Sequence, residues 1–358
     1  MNLEPLSLES LGWSEFLADA FAAYAHGKYI PARVASENRG LYLLCAESGD
    51  LQGEVTGRLR YKAEARGDLP AVGDWVVVEA RFEEGRGLIH AILPRQSKFS
   101  RKVAGFTSDE QIVAANISTV FLVTALNRDF NVGRMERYLI MTWESGANPV
   151  IVLNKADLCP DVTVYLDQLE HIAAGVPMIV TSCTSGDGLD GLKPYLGKGA
   201  TVALLGSSGV GKSTLVNCLL GEEVLLTQAT RAGDDRGRHT TTTRDLILLP
   251  TGGMVIDTPG MREMQLWGGE EELDGAFSDI DSLSQDCRFT DCRHAGEPGC
   301  AVAQAIEDGH LDARRLESYR KLQRELAYLA ARQEQKAAAI EKNRWKSRSK
   351  AARNLSKR

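Results

Sequence analysis

The sequence predicts a multidomain protein in three parts: an N-terminal β-barrel, a central α/β domain on a parallel sheet, and a C-terminal metal-binding helical domain. Three observations predict it. Short strands and turns crowd the first hundred residues, apolar strands then alternate with amphipathic helices around a glycine-rich loop at Gly206, and three cysteines and a histidine cluster between 287 and 300. The boundaries follow as 1–30 for a helical extension, 31–105 for the barrel, 106–268 for the α/β domain and 269–358 for the last.

With 358 residues the chain can bury more than one core, and 25% charged with 43% apolar residues is ordinary for a soluble protein. No apolar run approaches the roughly 20 residues of a membrane span, and the N-terminus lacks a basic, apolar export signal. A cytoplasmic chain with no membrane partner is expected, and a monomer. Net charge is −6, yet the last 17 residues hold eight Lys/Arg and no acid. An acidic body with a basic tail suits a polyanion partner, or a solvated end.

Residues 1–30 contain Leu11, Trp13, Phe16, Phe21 and Tyr24 at helix spacing, which fits a short helix docked on a neighbour. From 31 to 105 the strand candidates are 33–35, 41–45, 53–59, 74–78 and 87–93, separated by turn residues such as Gly73-Asp74 and Gly85-Arg86-Gly87. Five short strands fit an OB-fold barrel, although other small all-β domains read alike. Arg58, Arg60, Lys62, Arg95, Lys98, Arg101 and Lys102, with Tyr61 and Phe99, make either a stacking face for nucleic acid or a solvated one.

Beyond residue 106 the strands are 119–123, 149–153 and 178–180. Helices are expected near 132–145, near 163–174 and after Asp187, giving a parallel sheet covered on both faces. The strand 201–205 then runs into Gly206-Ser207-Ser208-Gly209-Val210-Gly211-Lys212-Ser213-Thr214. This is the phosphate-cradling pattern G-x-x-x-x-G-K-[ST] between a strand and a helix, whose glycines let N–H groups face anionic oxygens. Lys212 would reach the β- and γ-phosphates, and Ser213 one Mg²⁺ position.

Asn154-Lys155-Ala156-Asp157 closes the strand 149–153 and resembles the N-K-x-D guanine motif of GTPases. A carboxylate such as Asp157 accepts from guanine N1–H and N2–H₂, a pair adenine lacks. Asn154 supports the loop, the Lys155 stem covers the base, and Ser182 and Cys183 sit where backbone N–H groups meet guanine O6. Asp257-Thr258-Pro259-Gly260 resembles D-x-x-G, with Asp257 on Mg²⁺ through water and the Gly260 N–H on the γ-phosphate. Between them lies Gly237-Arg238-His239-Thr240-Thr241-Thr242-Thr243, similar to a first switch whose Thr241 or Thr242 closes over Mg²⁺. Met261 stands where many GTPases place a water-orienting Gln, which predicts slow intrinsic turnover of about 10⁻⁴ to 10⁻² s⁻¹. His239 is an in-chain substitute or merely packs in the switch.

The guanine motif precedes the phosphate loop, the reverse of ordinary GTPases. The same sheet forms if old termini are joined and the chain is cut after D-x-x-G, since domain termini lie at the surface. The central domain is therefore read as a circularly permuted P-loop GTPase domain.

Cys287, Cys292, His294 and Cys300 offer three thiolates and an imidazole, a closed tetrahedral set for one structural Zn²⁺. Helices follow at 301–308 and from about 311, the second with Leu316, Tyr319, Leu322, Leu326 and Leu329 on one side. It grades into the basic tail, where Trp345 lies among Lys and Arg.

Barrel, permuted GTPase and Cys-x₄-Cys-x-His-x₅-Cys knuckle together resemble the ribosome small-subunit-dependent GTPases, a circularly permuted ribosome-biogenesis family. The resemblance spans roughly residues 30–330 and includes Gly73-Asp74-Trp75-Val76 and Glu297-Pro298-Gly299-Cys300. It implies a late 30S assembly factor that binds 16S rRNA, uses GTP with Mg²⁺, and is stimulated by the subunit. A GTP-dependent RNA-binding scaffold or chaperone with incidental hydrolysis is the alternative. A P-loop kinase lacks a visible acceptor site.

Overall fold

A computed structural model describes residues 7–25, 27–102, 110–127, 130–221, 245–257 and 277–311, with 313, 315–317, 319, 320, 323 and 324 beyond. His239, Thr241, Thr242, Gly260, Met261 and the basic tail, with Leu322, Leu326, Leu329 and Trp345, lie outside the described residues. The chain divides into two compact units, 1–103 with 109–265, and 104–108 with 266–358.

In the first unit, β1 (Tyr29–Asn38), β2 (Leu41–Ala46), β3 (Gly49–Val55), β4 (Trp75–Arg81) and β5 (Arg86–Ile92) pair in the order β1-β2-β3-β5-β4. The pairing of β4 back to β1 closes the barrel, with Arg33 opposite Trp75. Only β3 and β5 run parallel; the other pairs are antiparallel. Alternate residues point inward, so Val34, Leu44, Leu51, Val76, Val78 and Ile89 form a dry core.

The strand expected at 53–59 ends at Val55. Thr56 turns the chain into α2 (Gly57–Lys62), its hydroxyl accepting from the Leu59 N–H at 3.3 Å. Arg58, Arg60 and Lys62 are exposed, and Tyr61 is 92% exposed. Two members of the expected basic face belong elsewhere. Phe99, on β6 (Lys98–Lys102), which pairs antiparallel with β7 (Glu110–Ala115), is 2% exposed and part of a core; Arg95 is engaged by the buried Asp74 in two bonds of 2.7 and 2.6 Å. A hydrophobic ring and a paired guanidinium are not available to stack on bases.

The extension contributes α1 (Glu15–Ala22), which buries Leu17, while Leu11 just before it packs with Trp75, Val77 and Met254. Trp13 lies edge-on to Trp75 at 4.8 Å. Arg33, 1% exposed, donates to the carbonyls of Leu11, Gly73 and Asn116. These bonds satisfy a buried cation, whose pKa burial pushes down to about 10.

The barrel shares one sheet with the α/β part. Beside β1, at Ser36 opposite Asp245, runs β12 (Asp245–Leu248); then come β13 (Met254–Asp257), β11 (Thr201–Leu205), β8 (Thr119–Ala125), β9 (Asn148–Asn154) and β10 (Met178–Val180). From β13 to β10 all pairs are parallel. Every residue of β8 and β11 is buried, as continuous apolar runs require. The chain walks outward through β8, β9 and β10, returns to the sheet centre as β11, then fills the other side with β12 and β13. That route puts the end of β9 two strands from the start of the phosphate loop.

Around the sheet lie α3 (Val132–Glu144), α4 (Thr163–Glu170) and α5 (Lys212–Leu220). The helix expected after Asp187 is a 3-10 turn over Leu189–Tyr195 that contains Pro194. In the second unit, α6 (Ser278–Ser284) and α7 (Ala301–Glu307) flank the cysteine cluster.

Candidate nucleotide site and metal cluster

The phosphate loop leaves the buried end of β11 at Gly206. A Cβ there would lie 2.2 Å from the Val123 carbonyl, so only glycine fits. Gly211, with φ of 99°, faces a second constraint: its Cβ would meet Asn154 Nδ2 at 2.4 Å. Val210 anchors the loop in the core, and α5 starts at Lys212. Its Nζ donates to the carbonyls of Gly206 at 2.6 Å and Ser207 at 2.7 Å, folded back along the loop. Ser207 and Ser213 are half-buried, and Ser208, Gly209 and Thr214 are exposed.

The loop after β9 meets this one directly. Asn154, 2% exposed, donates from Nδ2 to the Val210 carbonyl at 2.9 Å and accepts on Oδ1 from Thr181 Oγ1 at 3.3 Å. Lys155 takes a left-handed conformation, φ 64°, and its Nζ donates to the Gly209 carbonyl at 2.7 Å. Asp157 is exposed, and its Oδ1 accepts from the Ser182 hydroxyl at 2.6 Å, which fixes the carboxylate. Ser182 is itself 1% exposed, and its N–H bonds the Asp187 carbonyl at 3.0 Å. The Cys183 thiol donates to Asn154 Oδ1 at 3.7 Å, and burial pushes its pKa up to about 12. It stays a neutral donor at any ordinary pH.

Three loops from β9, β10 and β11 thus converge on Asn154. Asp257 closes β13, the strand beside β11. Sequence reasoning missed Arg134, in the first turn of α3, which reaches the Ser207 hydroxyl. Its only local signal is Asn131, the helix cap accepting from the Arg134 N–H at 2.8 Å.

In the second unit the metal-ligand atoms of Cys287, Cys292, His294 and Cys300 all lie within 4.8 Å of one another. His294 Nδ1 is 3.7 Å from Cys287 Sγ and 3.4 Å from Cys300 Sγ, and those sulfurs are 4.0 Å apart. A tetrahedral zinc with Zn–S near 2.3 Å would bring its ligands to separations of about 3.5–3.8 Å, a range that the three separations among Cys287, His294 and Cys300 bracket, so the cluster is compatible with such an ion. Glu297 holds the intervening turn, accepting from the Ala295 N–H at 2.6 Å and the Arg293 N–H at 3.2 Å. The Cys300 sulfur also caps α7 through the Ala303 N–H at 3.3 Å.

A glycine-tight phosphate loop tied to an N-K-x-D loop that precedes it in the chain defines a GTP-hydrolysing P-loop enzyme with circularly permuted motifs. Comparison with known proteins agrees. A family model described as RsgA GTPase matches residues 92–267, and one described as 50S ribosome-binding GTPase matches 201–334. A relative from Opitutus terrae, "Small ribosomal subunit biogenesis GTPase RsgA", is 48% identical and covers 95% of both chains. "Small ribosomal subunit biogenesis GTPase RsgA 2" of Lactiplantibacillus plantarum is 50% identical over 84% of each. YjeQ from Thermotoga maritima superposes with a TM-score of 0.62 at 28% identity, over 84% of this chain and 99% of that one. YloQ, described as a circularly permuted GTPase, gives 0.59 at 26% identity, over 84% and 96%. The chain belongs to the RsgA family of GTPases.

Proposed function

We propose that this GTPase acts in the cytoplasm as a late assembly factor of the 30S ribosomal subunit, binding 16S rRNA, slow alone and accelerated by the subunit. The observation that carries it is 48% and 50% identity, over 95% and 84% of this chain, to relatives named for small-subunit biogenesis, combined with the guanine motif preceding the phosphate loop. The exposed Arg58, Arg60, Tyr61 and Lys62 of α2 supply the rRNA contact by charge and stacking. The knuckle of Cys287, Cys292, His294 and Cys300 holds one structural Zn²⁺.

In this reading Asp157 selects guanine, while Asn154 and Lys155 hold the base loop against residues 209 and 210. Ser182 orients Asp157, and Cys183 keeps its loop on Asn154. Gly206 to Thr214 wrap the phosphates with backbone N–H groups, and Lys212 moves its Nζ from the two carbonyls to the β- and γ-phosphates. Ser213 and Asp257, the latter through water, would hold Mg²⁺, which would supply positive charge to the phosphates. Thr241 or Thr242 would close over Mg²⁺ when the γ-phosphate is present, the Gly260 N–H meets that phosphate, and His239 is the in-chain candidate to orient water where Met261 cannot.

The test is single-turnover GTP hydrolysis with and without purified 30S or 50S subunits. Acceleration by 30S alone, from a basal rate near 10⁻⁴ to 10⁻² s⁻¹, is expected. No acceleration would leave a GTP-dependent RNA scaffold, and acceleration by 50S alone would reassign the subunit.

A further inference from the structure

Two cations converge on Ser207. Lys212 Nζ donates to its carbonyl at 2.7 Å, and the Arg134 guanidinium, from α3, donates to its hydroxyl. Because α5 begins at Lys212 and its side chain folds back to residues 206 and 207, that end of the loop is where the outermost phosphate would lie. Arg134 is held there by its helix. Asn131 caps α3 on the Arg134 N–H at 2.8 Å, and Met135, Tyr138 and Leu139 bury the helix against the sheet. An arginine on a fixed helix places its planar fork with little further ordering, and it stays charged.

We propose that Arg134 is a second cation of the nucleotide site, passing from the Ser207 hydroxyl to the γ-phosphate when GTP is bound and stabilising the transferring phosphoryl group. This rests on residues 206–214 being the phosphate loop. In hydrolysis the water oxygen bonds to the γ-phosphorus. The bond to the β–γ bridging oxygen breaks, its electron pair leaves with GDP, and the water protons end on phosphate and solvent. Arg134 takes no proton; it lowers the barrier by matching negative charge on the γ oxygens, as an arginine supplied within the same chain does in other GTPases.

GDP lacks the group Arg134 would touch, which makes it the internal control. In Arg134→Ala, affinity for a non-hydrolysable GTP analogue should fall about tenfold or more while GDP affinity stays within about twofold, and single-turnover hydrolysis at saturating GTP should fall at least about 100-fold. Arg134→Lys should recover much of the analogue affinity but little of the rate, because a point charge replaces a fork. Arg134→Gln keeps the apolar first part of the side chain and a neutral amide while removing the charge, so it carries the same test if the alanine variant unfolds. Equal losses for GDP and analogue, or no change in either with an unaltered rate, would overturn the proposal. Loss of all nucleotide binding in Lys212→Ala with no differential effect in Arg134→Ala would leave the phosphate loop in place and remove Arg134 from it.

Discussion

Asn154 Nδ2 donates to the carbonyl oxygen of Val210 at 2.9 Å, fastening the loop that closes β9 to the phosphate loop 56 positions later. The same amide accepts from Thr181 and Cys183, so one buried side chain holds three loops. Asn154→Ala strips the Val210 carbonyl and two donors of their partner. It should cost about 1–3 kcal/mol of stability and weaken GTP and GDP together, read by thermal unfolding and nucleotide titration. A selective loss of GTP alone would contradict this coupling.

Asp157 is exposed, and its carboxylate is held by the Ser182 hydroxyl at 2.6 Å. Asp157→Asn replaces an acceptor pair by an acceptor and a donor, so GTP affinity should drop by about 100-fold or more and XTP should become the preferred ligand. Competition between the two nucleotides against a fluorescent GDP derivative measures it. Unchanged preference would place the guanine elsewhere.

Asp74 is fully buried and meets Arg95 in a two-bond fork. Arg95→Ala leaves that carboxylate without its cation and should cost about 3–5 kcal/mol, seen as a lowered denaturant midpoint of the first unit. A cost near zero would mean the pair is solvated.

Cys45 and Cys183 have thiols that burial pushes up to about 12, from ordinary values near 9. A raised folded pKa means stability is complete below pH 9 and declines as pH rises from there toward 12, because the unfolded chain ionises first. Melting temperature should therefore fall steeply between pH 9 and 11, and less steeply in Cys45→Ala. Equal slopes would show that other groups govern the alkaline limit.

Removal of the proposed zinc should act on the second unit, where all four candidate ligands lie between residues 287 and 300. One zinc per chain is expected by elemental analysis. A strong chelator should abolish hydrogen-exchange protection of α6 and α7, with nucleotide affinity retained. Protection that survives chelation would mean packing alone holds the knuckle.

Barrel, parallel sheet, phosphate loop and cysteine cluster were all legible in the sequence because each has a short-range signature: period-two alternation, apolar runs, glycine spacing, ligand spacing. What the sequence hid is long-range. Nothing in residues 29–38 announces that Ser36 lies beside Asp245 and joins the barrel to the nucleotide sheet. A strand pattern over 53–59 looked continuous, yet a single threonine cap ends it at Val55. Arg95 and Phe99 read as surface residues because composition does not reveal a buried Asp74 or a core cluster. Arg134 escaped notice for the same reason, since its partner lies 73 positions away.

The central claim is that the Asn154–Asp157 loop and the Gly206–Thr214 loop hold the two ends of one guanosine triphosphate. Isothermal titration of the protein with GTP, GDP and ATP in Mg²⁺ tests it most directly. GTP and GDP should bind at one site per chain, with ATP weaker by about 10³-fold or more. ATP bound as tightly as GTP would contradict it.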